Sequence, residues 1–360
     1  MNAAVATPAS AAPIETDAVV IGAGPVGLFQ VFELGLLDLR AHVIDALPVA
    51  GGQCIELYAD KPIYDIPATK VCTGRELVAR LLAQIEPFAP AWHFGRQVDT
   101  LAKQADGRFL VAAGSTRLLA RAVFIAGGVG AFVPRRLKVD ALAPFEGTQV
   151  FHAVPGAAQL ANHRVLIAGD ADAALDAAIA LANESTARPA SITLMHRRDE
   201  FKAAPETVAE LQALRAAGRI EFVAAQPSGV RHEGSRLLAL DVLGADGASR
   251  SLPVDTLLVL MGLSPKLGPI AEWGLALERK QLVVDTASFE TSEPGIFAVG
   301  DVNTYPGKRK LIVCGFHEAT LAAYGAAARL FPGRPIPLEY TTTSPRVHRA
   351  LGVAPPGDSR

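Results

Sequence analysis

The chain has 360 residues, room for two domains of ordinary size, and half of its side chains are hydrophobic. Its 34 basic and 36 acidic residues leave a net charge of −2, a balance that argues against a nucleic-acid partner. No window supplies the ~18 consecutive apolar residues that a membrane span needs. The three cysteines (Cys54, Cys72, Cys314) form no C-x-x-C pair, which excludes a sequence-local zinc site or redox dithiol and fits a cytoplasmic, reducing setting.

In chain order, residues 1–15 are expected to be a disordered lead; the stretch is rich in Ala and Pro, and no Lys or Arg precedes Arg40, so it is no signal peptide. The apolar run from Asp17 predicts a buried parallel strand. It leads into Gly22-Ala23-Gly24-Pro25-Val26-Gly27, the spacing G-x-G-x-x-G, and then a helix over residues 25–37. Gly22 permits the tight turn, Gly24 lets backbone approach a pyrophosphate, and Gly27 lets the helix pack close to the strand. Pro25 sits in the first turn, where a missing N–H costs little. A second strand, residues 41–45, ends on Asp45, a carboxylate placed to accept ribose hydroxyls and to repel a 2′-phosphate. This first site suits FAD or NAD rather than NADP.

The pattern returns later. Residues 164–168 predict a strand, Gly169-Asp170-Ala171-Asp172-Ala173-Ala174 a turn, and residues 175–182 a helix. The next strand, residues 191–196, ends on His196-Arg197-Arg198, with Lys202 nearby. Two adjacent guanidinium groups where a ribose acid would otherwise stand suit a 2′-phosphate, hence NADP. Ala171 stands where the close-approach glycine is expected, Asp170 and Asp172 put acid beside the expected pyrophosphate, and a methyl group with added negative charge should weaken phosphate binding. A Rossmann-like unit that has lost its nucleotide is the competing reading.

With these motifs in hand, the chain resembles the ferredoxin–NADP reductases of the thioredoxin-reductase-like type over residues 16–353. The resemblance rests on Gly51-Gly52-Gln53-Cys54, the run from Leu57 to Pro67, and His196-Arg197-Arg198-Asp199-Glu200-Phe201. It rests further on residues 261–270, on residues 291–301 ending in Gly300-Asp301, and on Gly315-Phe316-His317-Glu318-Ala319. It implies an α/β protein with two Rossmann-like dinucleotide-binding domains of three-layer ββα type. The NADP domain, residues 128–253, would be inserted in a discontinuous FAD domain, residues 16–127 and 254–360. It also implies roles. Gly22, Gly24, Pro25, Gly27 and Asp45 would hold FAD, Gln53 and Tyr58 would line the flavin, and Asp301 would bond the ribityl chain. Tyr64 and Tyr340 would stack on the two flavin faces, with Thr341 and Thr342 beside the ring, and one aromatic cover, Tyr340, would move aside for nicotinamide. Gly169, Ala171, His196, Arg197 and Arg198 would hold NADP.

No side chain is signalled as a nucleophile. The implied activity is hydride transfer from NADPH to flavin followed by single-electron delivery to ferredoxin or flavodoxin, in a homodimer. His152-Ala153-Val154-Pro155 stands where thioredoxin reductases carry their dithiol. Three basic clusters could steer an acidic carrier: Arg135, Arg136 and Lys138; Lys308, Arg309 and Lys310; and Arg346, His348 and Arg349. An NADPH-dependent flavin, quinone or ferric reductase, or a flavin-binding redox-responsive module with an impaired NADPH site, are the alternative readings.

Overall fold

The structure is a computed structural model that describes residues 12–333, 335–336 and 340–353. The chain divides into two compact units: Met1–Ala131 with Lys266–Arg360, and Phe132–Pro265. Of the expected lead, residues 1–11 lie outside the described residues, and the lead is shorter than expected at its other end. Ile14 and Glu15 already belong to the first strand, Ile14–Ile21, whose register begins with Ile14 opposite Leu118.

In the first unit, Ile14–Ile21 pairs in parallel with Ala41–Ile44 on one side and Thr116–Ile125 on the other. Thr116–Ile125 serves two partners along its length. Its first half closes an antiparallel meander with Phe109–Ala113, from Ala113 opposite Thr116 to Phe109 opposite Ala120. Along the same edge its second half pairs in parallel with Ile296–Ala298, while the opposite edge pairs with Ile14–Ile21 from Leu118 to Ile125. Such a parallel sheet is covered on both faces, and its strands are nearly continuous apolar runs: Val19, Val20, Val123, Phe124 and Ile125 are fully buried. Phe124 and Phe297 stack across neighbouring strands with centroids 5.1 Å apart.

Two helices support this sheet's nucleotide turn. Pro25–Leu36 starts on its proline and packs Leu28, Val31 and Leu34 inward, the spacing of one helical face. Gly74–Ile85 starts from a capping box, in which the Thr73 hydroxyl accepts from the Glu76 N–H and the Glu76 carboxylate accepts from the Thr73 N–H.

The second unit repeats the plan. Its sheet runs Val150–Phe151, Thr256–Val259, Arg164–Ala168, Ser191–His196, Glu221–Glu233, Arg236–Gly244, Ser249–Pro253. The first four of these and the start of the fifth are parallel, and the rest form an antiparallel meander. The expected return to the first domain at residue 254 is too early. Thr256–Val259 pairs with both Val150–Phe151 and Arg164–Ala168, so that strand belongs to the second unit's sheet and the crossing falls after Pro265. The first crossing likewise falls after Ala131 rather than residue 127. Among the described residues no helix is long and apolar enough to cross a membrane.

Candidate dinucleotide sites

The first turn is built as its glycines require. Gly22 has φ +109°, a torsion that side chains avoid, and a methyl group there would meet the Ala126 carbonyl oxygen at 2.4 Å. A methyl group on Gly27 would lie 1.9 Å from the Gly22 oxygen, so helix and strand approach as closely as glycine allows. Gly24 is different: a methyl group there would meet nothing within 4 Å. Its freedom is required by no protein neighbour, which fits a ligand lying against the turn. No side chain caps Pro25–Leu36, and its positive N-terminal end is left for an anion.

Asp45 follows the second strand and turns back onto this loop. Its Oδ2 accepts from the Ala23 N–H at 2.6 Å and its Oδ1 from the Leu47 N–H at 2.8 Å. Burial pushes its carboxyl up, against the pull of those two donors. The carboxylate therefore fixes the turn while retaining acceptor capacity for a hydroxyl.

Three further segments converge here. The Gly51 N–H donates to the Ala23 oxygen at 2.8 Å, and a methyl group on Gly52 would stand 3.1 Å from the Gly24 Cα. Gln53 opens the short helix Gln53–Glu56, and its amide donates to Asp301 Oδ2 at 3.2 Å, joining residues far apart in the chain. Gly300 and Gly315 both lie against the Val26 side chain in the first helical turn. The Tyr58 hydroxyl meets the Cys54 thiol at 3.5 Å, and burial pushes both groups up, leaving a neutral phenol and an inert thiol. Cys54 is thus packing, with no exposed surface. An apolar cleft of about 630 Å³ also opens on this unit, lined in part by Pro48, Val49, Trp92 and Phe94; no sequence motif announces it.

Tyr64 and Tyr340 have 70% and 69% of their surface exposed, unusual for rings of that size in a folded chain and fitting for rings whose partner is a cofactor. Their settings differ. Tyr64 follows the strand Pro62–Ile63. Tyr340 opens a turn in which its carbonyl accepts from the Thr343 and Ser344 N–H groups, and Ser344 caps the tail helix Pro345–Ala350. That helix is tied down by the Arg346 guanidinium donating to the Leu36 carbonyl. Leu36 is the last residue of Pro25–Leu36, a helix about 18 Å long at 1.5 Å per residue. The helix that follows Tyr340, Thr341 and Thr342 is therefore bonded to the opposite end of Pro25–Leu36 from the phosphate turn.

The second site has the same skeleton with other chemistry. A methyl group on Gly169 would meet the Leu260 carbonyl oxygen at 2.4 Å, so this glycine is needed for packing. Ala171 precedes the helix Asp172–Asn183, which begins three residues earlier than its expected start at Leu175. The two acids at this turn are engaged. Asp170 Oδ2 lies 3.1 Å from Lys202 Nζ and 3.6 Å from His196 Nε2, and the Lys202 N–H donates to the Asp170 carbonyl at 2.7 Å. Asp172 Oδ1 accepts from the Ala204 N–H at 3.2 Å. The acids clasp the segment that carries the arginines, and Lys202 offsets the charge of Asp170 where the sequence pattern points to repulsion. Arg197 and Arg198 are exposed, and neither has a carboxylate partner among the described residues. By contrast, the nearby Arg215 is held by Asp199 in two bonds of 2.8 Å and lies over the Phe222 ring.

The basic clusters are only partly exposed. Arg135, Arg136 and Lys138 are exposed, with Arg136 3.7 Å from Glu146. Arg309, Lys310 and Arg349 are exposed. Lys308 and His348 are not surface cations: the Lys308 ammonium is buried against Glu318, and the His348 ring is buried with Nε2 on the Thr341 carbonyl. Among the described residues no group of three metal-ligating side chains occurs, and all three cysteines are free.

Residues 16–323 match the family model described as pyridine nucleotide-disulphide oxidoreductase. The ferredoxin–NADP reductase of Albidiferax ferrireducens is 57% identical over 96% of this chain and 98% of its own length. That of Paracidovorax citrulli is 58% identical over 96% and 98%. Among solved structures, Lactococcus lactis thioredoxin reductase covers 86% of this chain and 97% of its own, with a TM-score of 0.55 at 22% identity. The bacillithiol disulfide reductase of Staphylococcus aureus covers 88% and 99%, with a TM-score of 0.59 at 15% identity. These two show a shared fold, although this chain has no C-x-x-C pair. The chain belongs to the pyridine nucleotide-disulphide oxidoreductase family, among the ferredoxin–NADP reductases that its relatives represent.

Proposed function

We propose that this protein binds FAD in the first unit and NADPH in the second and carries electrons between NADPH and ferredoxin. One contrast carries the assignment of cofactors. The second strand of the first site is followed by the half-buried carboxylate Asp45, and that of the second site by Arg197 and Arg198, exposed and without carboxylate partners among the described residues. A carboxylate accepts ribose hydroxyls, and paired guanidinium groups take a 2′-phosphate.

Bound FAD supplies the chemistry that links a two-electron hydride donor to a one-electron acceptor. The protein's part is to bind, orient and shield. Gly22, Gly24, Pro25 and Gly27 would hold the pyrophosphate, Asp45 the adenosine ribose, and Gln53, Tyr58 and Asp301 the flavin end. Tyr64 would cover one flavin face. Gly169, Ala171 and His196 would frame the NADPH turn.

The anchoring of the tail at Leu36 supports a homodimer in which Tyr340, Thr341 and Thr342 cover the flavin of a second copy. The exposed cations Arg309 and Lys310 suit an acidic carrier such as ferredoxin or flavodoxin. The test is reduction of a purified ferredoxin by the FAD-loaded protein with NADPH, with free flavin, quinone and ferric acceptors alongside. Ferredoxin reduction that slows steeply with salt supports the reading. A preference for the small acceptors at every ionic strength sinks it.

A further inference from the structure

Glu318 lies in the middle of the helix Ile312–Leu330 with no exposed surface, a place where an unpaired carboxylate would be costly. Four donors from one loop converge on its carboxylate: the Gly300 N–H at 2.7 Å, the Asn303 amide at 2.9 Å, the Tyr305 hydroxyl at 2.9 Å and the Lys308 ammonium at 2.5 Å. The Lys308 ammonium also donates to the Gly300 carbonyl at 2.8 Å. Both backbone polar groups of Gly300 are thus taken by one buried ion pair. Gly300 has φ +79° and directly precedes Asp301, whose carboxylate accepts from Gln53.

A buried ion pair is poor evidence for stability, because desolvation offsets the attraction; the best-attested use of such a pair is to fix one conformation. Here the conformation fixed is that of a single turn, which rests on Val26 at the start of the phosphate helix. We propose that Lys308 and Glu318 are positioning residues that hold the Gly300–Asp301 turn for the flavin end of FAD. This rests on the assignment of Asp301 to FAD made above. Lys308 therefore works inside the fold, not as a cation steering an electron carrier.

The test uses the FAD-loaded protein and three readouts: the FAD dissociation constant, the flavin midpoint potential and the melting temperature of the stripped protein. The variants are Asp301→Asn, Lys308→Met, the paired change Lys308→Met with Glu318→Gln, and each Lys308 variant combined with Asp301→Asn. The paired change removes both charges together and serves if Lys308→Met alone does not fold. Asp301→Asn is expected to weaken FAD binding about tenfold, the effect of one lost charge-assisted bond. The Lys308 variants are expected to weaken it in the same direction and to shift the potential. Combined with Asp301→Asn they should add less than about twofold, because their effect passes through Asp301. Full additivity, or a lowered melting temperature with FAD binding and potential unchanged, overturns the positioning role. FAD binding unchanged in Asp301→Asn would instead overturn the assignment of Asp301 itself.

Discussion

Replacing Arg197 and Arg198 with alanine removes two exposed guanidinium groups that follow the second nucleotide strand. Neither forms an ion pair within the described protein, so the change leaves no buried charge behind and the fold should be untouched. A shielded charge-assisted bond to phosphate is worth about 1.5–3 kcal/mol. Solvent and salt reduce this at an exposed site to about 1–1.5 kcal/mol for each arginine. The double variant should therefore lose about 2–3 kcal/mol, or roughly 30- to 150-fold in kcat/KM for NADPH. NADH lacks the 2′-phosphate and should change by less than about threefold. The assay is steady-state reduction of an artificial acceptor with each nucleotide in turn. Equal losses for both nucleotides, or no loss for NADPH, would refute the assignment of these residues to the 2′-phosphate.

Other consequences follow from the same geometry. Gly24→Ala meets no protein atom within 4 Å, so the stripped protein should melt as before while FAD binding weakens about tenfold or more. Gly27→Ala puts a methyl group 1.9 Å from the Gly22 oxygen and should lower the melting temperature even without cofactor; reversed outcomes would mean the turn has been misread. Lys202→Met bares the charge of Asp170 and should raise the NADP dissociation constant about threefold, with Asp170→Asn restoring it; calorimetric titration checks both. His42 Nδ1 and His93 Nε2 lie 3.0 Å apart, and burial, with nearby Arg40 and Arg96, holds both rings below the usual histidine range. A depressed folded-state value means that stability is full above the unfolded value near 6.5 and is lost as pH falls toward the folded one. Thermal melts from neutral to mildly acidic pH should show this decline, and His42→Gln should flatten it; an unchanged slope would refute the attribution.

The local parts of this molecule are legible in its sequence. A strand, a glycine turn, a helix and a terminal acid lie within one stretch of chain, and each reports its own torsion or close approach. Gly22, Gly27 and Asp45 are such cases. What the sequence hides depends on partners distant along the chain. Asp170 reads as repulsive because Lys202 reaches it only after the chain has completed a helix and a strand. Lys308 reads as a surface cation beside Arg309 and Lys310, and only the helix carrying Glu318 buries it. The second domain crossing reads too early because a strand near residue 256 carries no local sign of which sheet it joins. The tail reads as a flavin cover, but nothing local in the sequence shows that Arg346 reaches back to the Leu36 carbonyl.

The most direct test of the central claim is anaerobic rapid mixing of the yellow FAD-loaded protein with NADPH, and separately with NADH, followed by addition of oxidised ferredoxin. Fast flavin bleaching by NADPH, a much slower response to NADH, and recovery of the yellow colour as ferredoxin is reduced are the expected results. Bleaching by neither nucleotide would show that the turn carrying Asp170 and Ala171 does not bind NADPH productively, and that the protein does not draw electrons from it.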